Sequence, residues 1–362
     1  MKTALHYRNV LMALLLVPMF AIANNGKDWK GKHTKEKKVH KEFTVNSNAT
    51  VEIKNSYGDI DVVTWDENRV VIDVTITTNG NNEEKVMKKL DDIDIEFSGS
   101  SNHVHAKTKF EKRKSWWSWG KNNVSMKINY VIKMPESNNV DLDNSYGSIN
   151  LDKLEGRAVI DCDYGKITTK ELMADNNDIN FDYTNNSYFE YIKSGTISAD
   201  YSGYTVGKTK KLVIDADYTK SKIELAEDVE YNCDYGSLTI DKANNITGEG
   251  DNLSLQIGDV YKDVSISADY GSCKIKNMTS NAGDITIKSD YMKITIGYSA
   301  GYNFDFDLNL TYGSLRGGDN LEFSKKIEKS NSKQYTGYNG TKGSGNNINI
   351  TSDYGSVTFN KN

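Results

Sequence analysis

The chain is poor in proline, cysteine and histidine. Its 362 residues contain two prolines and three cysteines, and no histidine follows residue 105. A Ser-His-Asp relay beyond that point is therefore excluded. The formal net charge of −5, without a long basic face, argues against nucleic-acid binding. Conversely, 28 glycines and 22 tyrosines favour strands joined by tight turns.

Long apolar runs are absent after the first residues. A basic segment from Lys2 to Arg8 precedes an apolar run over 10–22, and Ala21-Ile22-Ala23 matches a small-x-small cleavage site. Residues 1–23 are therefore predicted to be a secretory signal peptide. No cysteine lies directly after this run, so a lipoprotein anchor is unsupported. No later stretch reaches the roughly 18 to 20 apolar residues of a helical span. We expect an exported chain that is periplasmic, at the cell surface or secreted, with no transmembrane anchor in its mature form.

The dominant pattern is a short apolar alternation that runs into a tyrosine and resumes after a glycine or small polar residue. For example, Ile160, Cys162 and Tyr164 precede Ile167. Because strand side chains alternate between faces, the three-residue step from Tyr164 to Ile167 predicts a corner with the tyrosine facing inward. Stacked inward rings are the favoured interpretation, and an exposed aromatic ladder, which would suggest glycan binding, is the alternative. The repeat tyrosines are Tyr57, Tyr146, Tyr164, Tyr183, Tyr201, Tyr218, Tyr235, Tyr270, Tyr291, Tyr312 and Tyr354.

The spacing of these tyrosines indicates a solenoid. From Tyr146 to Tyr235 the intervals are 18, 19, 18, 17 and 17 residues, and fixed-period self-similarity is typical of repeat folds. The intervals of 35 and 42 residues, before Tyr270 and Tyr354, are double, so one coil in each is expected to be degenerate or to carry a loop. The sequence thus predicts an all-β, parallel β-solenoid with coils of about 17–21 residues.

Four segments are predicted along the chain. Residues 1–23 are the signal peptide, and 24–42 form a flexible basic leader. Residues 43–139 form an N-terminal β-rich cap region with one short helix from Glu83 to Leu90, because the open end of a solenoid needs cover. Residues 140–362 form the solenoid repeats, with a surface loop over 324–347.

An aspartate precedes most repeat tyrosines. If the coils stack in register, these carboxylates lie about 5 Å apart along one edge and repel one another. Each could accept a hydrogen bond from the backbone N–H two residues on, forming an Asx-turn. The alternative is a row of Ca²⁺ sites at Asp163, Asp182, Asp200, Asp217 and Asp234; otherwise no cofactor is expected.

The three cysteines are predicted to be small core residues. Cys162 and Cys233 occupy the same slot in coils four tyrosines apart, which places them on the order of 19 Å from each other. A disulfide requires Cα atoms within about 7 Å. Ala199 and Ala216 fill the same slot, so small size is the requirement.

One segment lies outside the repeat pattern, at a predicted hairpin tip. It contains Arg113 and Lys114 beside Trp116, Trp117 and Trp119. Exposed indoles are costly unless a partner covers them, so these five residues are the candidate ligand-binding loop, and packing of the rings onto the cap is the alternative.

Enzymatic function finds little support. His103 and His105 share one strand face, but no nearby cluster of metal ligands completes a site. Paired carboxylates for glycoside cleavage stay an alternative, because the aspartate row spaces acids at about 5 Å. Repetition of the same acid nevertheless favours an architectural role.

Several motifs resemble the bacterial putative-adhesin family. They are Asn-Ser-Tyr-Gly-Asp-Ile-Asp-Val at 55–62, Trp65-Asp66, Met134-Pro135 and the serial Tyr-Gly-Ser-Ile units. The chain departs from the family in having Asp-Tyr-Gly where many relatives have Ser-Gly-Asp. The resemblance implies an exported β-solenoid at the cell envelope, an adhesive role and no catalytic residues.

We therefore expect a non-enzymatic envelope protein acting as an adhesin or structural binding module, through its solenoid surface and the tryptophan-rich loop. Its partner would be a cell-surface glycan, an envelope component or a protein. The alternative is a β-helix protein that binds or cleaves polysaccharide.

Overall fold

The computed structural model describes residues 29–111 and 124–362. In these ranges the chain is nearly all β, with one helix and a large, open, mostly parallel sheet of solenoid-like form. The all-β prediction is confirmed. The predicted signal peptide and the tryptophan-rich loop lie outside the described residues.

Each repeat consists of a strand, a tyrosine corner and a second strand. Strands that precede the tyrosines pair in parallel with one another, and so do the strands that follow them. Ile160 pairs with Leu142 and Ile179 before the corner, and Ile167 pairs with Ile149 after it. Residues of the same type therefore stack in register. The first such strands are β2 (Thr50–Ser56), β3 (Ile60–Trp65), β8 (Asn139–Ser145), β9 (Ser148–Leu151), β10 (Ala158–Asp163), β11 (Lys166–Leu172) and β12 (Asn177–Asp182).

Over residues 187–249 the second strand of one repeat continues into the first strand of the next. β13, for example, pairs with β11 through its first half and with β12 through its second half. Each repeat in this part thus has one sharp corner at the tyrosine and one shallow bend within a strand. These strands are β13 (Ser187–Asp200), β14 (Gly203–Asp217), β15 (Lys220–Asn232) and β16 (Ser237–Glu249). β17 (Leu253–Val260) is a second strand alone, whereas β18 (Val264–Met278) and β19 (Ile285–Tyr298) each contain both strands of one repeat, on either side of its tyrosine.

The corner is sharp because the tyrosine adopts left-handed backbone angles. Tyr164, for example, has φ of 54°. The inward residues on either side are Cys162 and Ile167, both fully buried. Gly165 follows the tyrosine, and a Cβ there would lie 2.0 Å from the carbonyl oxygen of Gly147 in the preceding repeat. The corner at Tyr164 therefore has no room for a Cβ at position 165.

The N-terminal region adds two strands, β6 and β7, in parallel to the first repeat, which consists of β2 and β3, and further strands pair with these in antiparallel fashion. β6 pairs with β2 and β5, while β7 pairs with β3 and β4, and β4 pairs with β1. The helix begins after the N-cap Asn82 and buries Val86 and Leu90. The elements are β1 (His33–Thr44), β4 (Arg69–Gly80), α1 (Glu83–Asp91), β5 (Ile93–Gly99), β6 (His103–Phe110) and β7 (Ser125–Pro135).

The prediction of a flexible leader is wrong for residues 33–42, which belong to β1. This strand pairs with β4 along its whole length. Its side chains are polar on both faces apart from Val39 and Phe43, which pack against the core. Backbone pairing, rather than an apolar stripe, therefore holds the strand in place.

The C-terminal repeat is inserted between two earlier ones. β24 and β25 pair on one side with β19 and on the other with β20 and β21. The stretch predicted to be a surface loop forms instead the antiparallel hairpin β22–β23, whose second strand pairs with β20. The strands are β20 (Phe304–Thr311), β21 (Ser314–Arg316), β22 (Glu322–Glu328), β23 (Ser332–Asn339), β24 (Asn347–Asp353) and β25 (Ser356–Lys361).

The interior is apolar and contains the three cysteines as free, buried thiols, as predicted. Burial raises the pKa of Cys162, Cys233 and Cys273 to about 12. No helix in the described ranges is long and apolar enough to cross a membrane.

Candidate ligand-binding surface

The repeat tyrosines form an exposed row, which we call the tyrosine ladder. Their side chains are 42% to 57% exposed, so the prediction of inward rings is wrong. Ring centroids of neighbours lie 4.7 to 5.2 Å apart, with ring planes within 2° to 9° of parallel. The order along the ladder is Tyr57, Tyr146, Tyr164, Tyr183, Tyr201, Tyr218, Tyr235, Tyr270, Tyr291, Tyr354 and Tyr312.

The outward orientation has a simple cause. Alternation of faces holds only while the backbone stays extended, and the tyrosines have φ between 51° and 66°. The corner thus falls on the tyrosine itself, and the inward row continues from Cys162 to Ile167 without it. A bulky residue at positive φ costs about 1 kcal/mol or more. Ring stacking, worth about 0.5 to 1.5 kcal/mol per pair, offsets much of this cost.

The ladder presents ring edges and hydroxyls rather than ring faces. Inside each stack the two faces of a ring are covered by its neighbours at about 5 Å. At one end Phe110 meets Tyr57 edge-on, with centroids 6.2 Å apart. A ligand lying along the stacked part therefore meets one phenol group per repeat.

The aspartate row runs beside the ladder and links neighbouring repeats. The Oδ1 atom of Asp182 accepts a hydrogen bond from the backbone N–H of Asp200 at 3.1 Å. The same bond joins Asp200 to Asp217 and Asp217 to Asp234. The predicted Asx-turn is thus corrected: the donor is the N–H of the aspartate in the next repeat, not the N–H two residues on.

Partial burial changes the pKa values of carboxyl groups in the aspartate row. It raises the pKa of Asp182 and Asp217 above the usual carboxyl range, and the carboxylates of neighbouring repeats add to the effect. The hydrogen bond from the next backbone N–H acts in the opposite direction. In the described residues no cluster of three or more His, Cys, Asp or Glu side chains is arranged to hold a metal ion.

Sequence reasoning expected an irregular coil between Tyr235 and Tyr270 but did not identify Asn252 as its corner residue. Asn252 takes the tyrosine position in the repeat between Tyr235 and Tyr270, with φ of 55°. Its neighbour Asp251 continues the aspartate row, because it donates its N–H to Asp234 and accepts from Asp269. This repeat is the degenerate coil expected in the 35-residue interval. The Asp-Asn pair at 251–252 was the available signal, since asparagine tolerates left-handed angles.

The histidine pair lies on the N-terminal region, away from the ladder. His103 Nε2 and His105 Nδ1 each lie 3.1 Å from the same oxygen of Glu52. Burial alone would raise the pKa of Glu52, but the hydrogen bond from Lys54 and the proximity of His105 lower it. Glu52 therefore acts as the anion of a charged cluster.

A shallow groove on the outer side of the second strands is lined by charged residues. Its two lysines are paired: Lys170 Nζ lies 2.6 Å from Asp152, and Lys153 Nζ lies 3.3 Å from Glu136. The groove thus places these two lysine–carboxylate pairs beside Glu171 and Glu190.

The predicted site residues fall into two groups. The repeat tyrosines and Asp163, Asp182, Asp200, Asp217 and Asp234 come together along one edge of the solenoid-like sheet. The tryptophan-rich loop, with Arg113 and Lys114, lies outside the described residues and stays a prediction.

No protein-family model matches the chain, and no curated protein matches it. Among solved structures, the chain is similar to a putative adhesin from Parabacteroides merdae, with 13% identity, a TM-score of 0.33, and coverage of 89% of this chain and 96% of that one. A putative adhesin from Parabacteroides distasonis has 12% identity, a TM-score of 0.31, and coverage of 89% and 97%.

A putative lipid binding protein from Parabacteroides distasonis has 11% identity, a TM-score of 0.29, and coverage of 89% and 96%. The structural neighbours include several putative adhesins, which is the family that the sequence motifs resemble.

Proposed function

We propose that this protein is an exported, non-enzymatic binding module of the cell envelope, with an adhesin-like role, that holds an extended polymer along the tyrosine ladder. The observation that carries the proposal is the exposure of eleven tyrosines in one row. Glycine would fit the corner without backbone strain. Retention of a large ring there, repeat after repeat, supports a role for its outer edge in contact with a partner.

The chemistry of the row favours a polysaccharide over a protein as this polymer. A phenol hydroxyl recurs at ring spacings of 4.7 to 5.2 Å, and an aspartate precedes the tyrosine in eight of the eleven repeats. Each carboxylate of the bonded aspartates keeps one oxygen beyond the one that accepts the backbone N–H. A regular series of donors and acceptors suits a polymer that carries hydroxyls on every unit.

The test removes the middle of the ladder without straining the corners. Tyr183→Asn/Tyr201→Asn/Tyr218→Asn keeps left-handed angles that Asn252 already adopts in the same position. The matched control is Tyr188→Asn/Tyr261→Asn, which removes two exposed tyrosines outside the ladder. Retention on whole bacterial cells and on immobilised cell-wall polysaccharide is measured for each.

We expect the ladder variant to bind at least tenfold more weakly and the control to bind like the parent. Equal binding by all three proteins would refute the proposal. Trp116→Ala/Trp117→Ala/Trp119→Ala in the same assay separates a contribution of the tryptophan-rich loop from that of the ladder.

A further inference from the structure

We propose that the break in the tyrosine ladder at Asn252 is a binding slot for one pyranose ring of a polysaccharide, held between the faces of Tyr235 and Tyr270. This inference rests on the proposed function and deepens it. It assigns the ligand class and the position at which a single sugar unit is gripped.

The repeats stay in register across the break. The backbone N–H of Tyr235 donates to the carbonyl of Asp251 at 3.0 Å, and that of Asn252 donates to the carbonyl of Asp269 at 2.9 Å. Leu238 pairs with Leu255, and Leu253 pairs with Gly271, so Asn252 occupies the ladder position. Only the ring is replaced; the corner is kept.

The break has the width of one ring. Two strand spacings separate the repeats of Tyr235 and Tyr270, which places the two side chains about 10 Å apart at their bases. Elsewhere in the ladder one ring fills each step of 4.7 to 5.2 Å. A flat ring inserted midway would therefore contact both tyrosines at the spacing that the ladder itself uses.

The walls of the slot are held in place before any ligand arrives. Tyr235 stacks on Tyr218 with centroids 5.0 Å apart and planes 4° from parallel. Tyr270 stacks on Tyr291 at 5.0 Å and 3°. Because each wall is backed by a stacked neighbour, binding requires little ordering of either side chain, which limits its entropic cost.

The polar groups around the slot select a sugar over an aromatic side chain. The exposed amide of Asn252 makes no hydrogen bond to another residue of the described ranges, and Asn252 occupies the ladder position between the two tyrosines. Asp251 and Asp234 each use one carboxylate oxygen to accept a hydrogen bond from a backbone N–H. A pyranose places C–H groups on its faces and hydroxyls on its rim, whereas an aromatic ring would leave the amide without a partner.

The test fills the slot. Asn252→Tyr completes the ladder and retains all eleven tyrosines. Asn176→Tyr is the matched control, because Asn176 is also exposed and has φ of 59° but lies outside the ladder. Tyr201→Asn opens a second slot, between Tyr183 and Tyr218. Calorimetric titration uses β-1,4-linked hexasaccharides of glucose and of N-acetylglucosamine, with N-acetyltyrosinamide as the aromatic probe.

We expect the parent to bind at least one hexasaccharide with one site. Asn252→Tyr should bind it at least tenfold more weakly, Asn176→Tyr should match the parent, and Tyr201→Asn should show two sites. Unchanged affinity in Asn252→Tyr, binding of N-acetyltyrosinamide alone, or no binding of either hexasaccharide by the parent would overturn the inference.

The two experiments distinguish failure of the slot from failure of the proposed ladder function. If Asn252→Tyr keeps its hexasaccharide affinity while the triple tyrosine variant loses cell binding, the slot is wrong and the ladder function stands. If the triple variant binds cells like the parent while Asn252→Tyr loses the hexasaccharide, the ladder function is wrong and the slot stands.

Discussion

The inner and outer rows of the corner differ in which residues they repeat. The inner position two residues before each tyrosine holds, among others, Asn144, Cys162, Phe181, Ala199 and Ser289, and these five residues are buried. The outer position holds tyrosine eleven times and is about half exposed. The interior thus accepts any side chain that fills the local space, whereas the exterior repeats one residue that packing of the core does not require.

This contrast indicates that the inward rows supply most of the folding stability, whereas the outward tyrosines are available for recognition of a partner. Stability comes mainly from burial of the inward rows, since apolar burial is the dominant favourable contribution to folding. The ladder adds stacking that largely offsets its backbone strain. The predictions below test this division, from the largest expected effect to the smallest.

The largest effect is expected from the interior. Phe181 is fully buried, with its ring 5.5 Å from that of Tyr204. Phe181→Ala should lower the free energy of unfolding by about 3 to 5 kcal/mol. Tyr201→Asn, which removes two stacking contacts and relieves the strained backbone, should lower it by only about 1 kcal/mol. Urea denaturation followed by circular dichroism measures both, and a larger loss in the ladder variant would reverse the division.

The next effect separates ring stacking from backbone strain at one position. Tyr201→Ala loses the ring but keeps a Cβ at φ of 51°. Tyr201→Gly loses the ring and relieves the strain, so the alanine variant should be less stable than the glycine variant by about 1 kcal/mol. The comparison uses the same denaturation assay. Equal stabilities would mean that the corner relaxes when the ring is removed.

Alkaline pH should weaken the ladder. Partial burial raises the pKa of Tyr164, Tyr218 and Tyr291, and neighbouring tyrosines add to the rise. A raised pKa in the folded state means that stability is fully present below the pKa of the unfolded tyrosines, about 10. It is lost as pH rises through the folded value.

Tyrosinate absorbance at 295 nm follows this titration. Tyr164, Tyr218 and Tyr291 should titrate above free tyrosine, and the variant Tyr164→Asn/Tyr218→Asn/Tyr291→Asn should lose part of the late phase. A folded-state midpoint equal to that of the unfolded chain would contradict the stacked geometry.

The smallest effect is expected in the aspartate row. The pKa of Asp217 is raised in the fold, so its contribution to stability is present below the unfolded carboxyl pKa and is lost as pH rises through the folded value. Asp217→Asn keeps an oxygen for the N–H of Asp234 and should change the melting temperature at neutral pH only slightly. Addition of calcium should change the melting temperature of neither the parent nor Asp217→Asn. A calcium-dependent rise that Asp217→Asn abolishes would support the row of Ca²⁺ sites instead.

The sequence predicted the strand-corner-strand repeat because apolar alternation and spacing are local signals. The outward orientation of the tyrosine side chains could not be predicted from these local signals. Counting faces through Tyr164 assumes an extended backbone, and only the structure shows that the chain turns at that residue. Glycine or a small polar residue after ten of the eleven repeat tyrosines was the visible sign that the corner is tight.

Two long-range features could not be predicted from local patterns. The repeat of Tyr354 is inserted between those of Tyr291 and Tyr312, and equivalent repeats carry no mark of their stacking order. β1 has no apolar stripe, so its pairing with β4 is a tertiary effect. At the candidate site, the aspartate row was predicted, but the hydrogen bonds between repeats depend on register.

Hydroxyl-radical footprinting of the native protein tests the central claim, the exposure of the ladder, most directly. Tyr164, Tyr201 and Tyr218 are about half exposed, whereas Tyr130 and Tyr302 are fully buried. The account predicts rapid labelling of the three ladder tyrosines and protection of the two buried ones, as resolved by peptide mass spectrometry. Protection of the ladder tyrosines to the level of Tyr130 would contradict it.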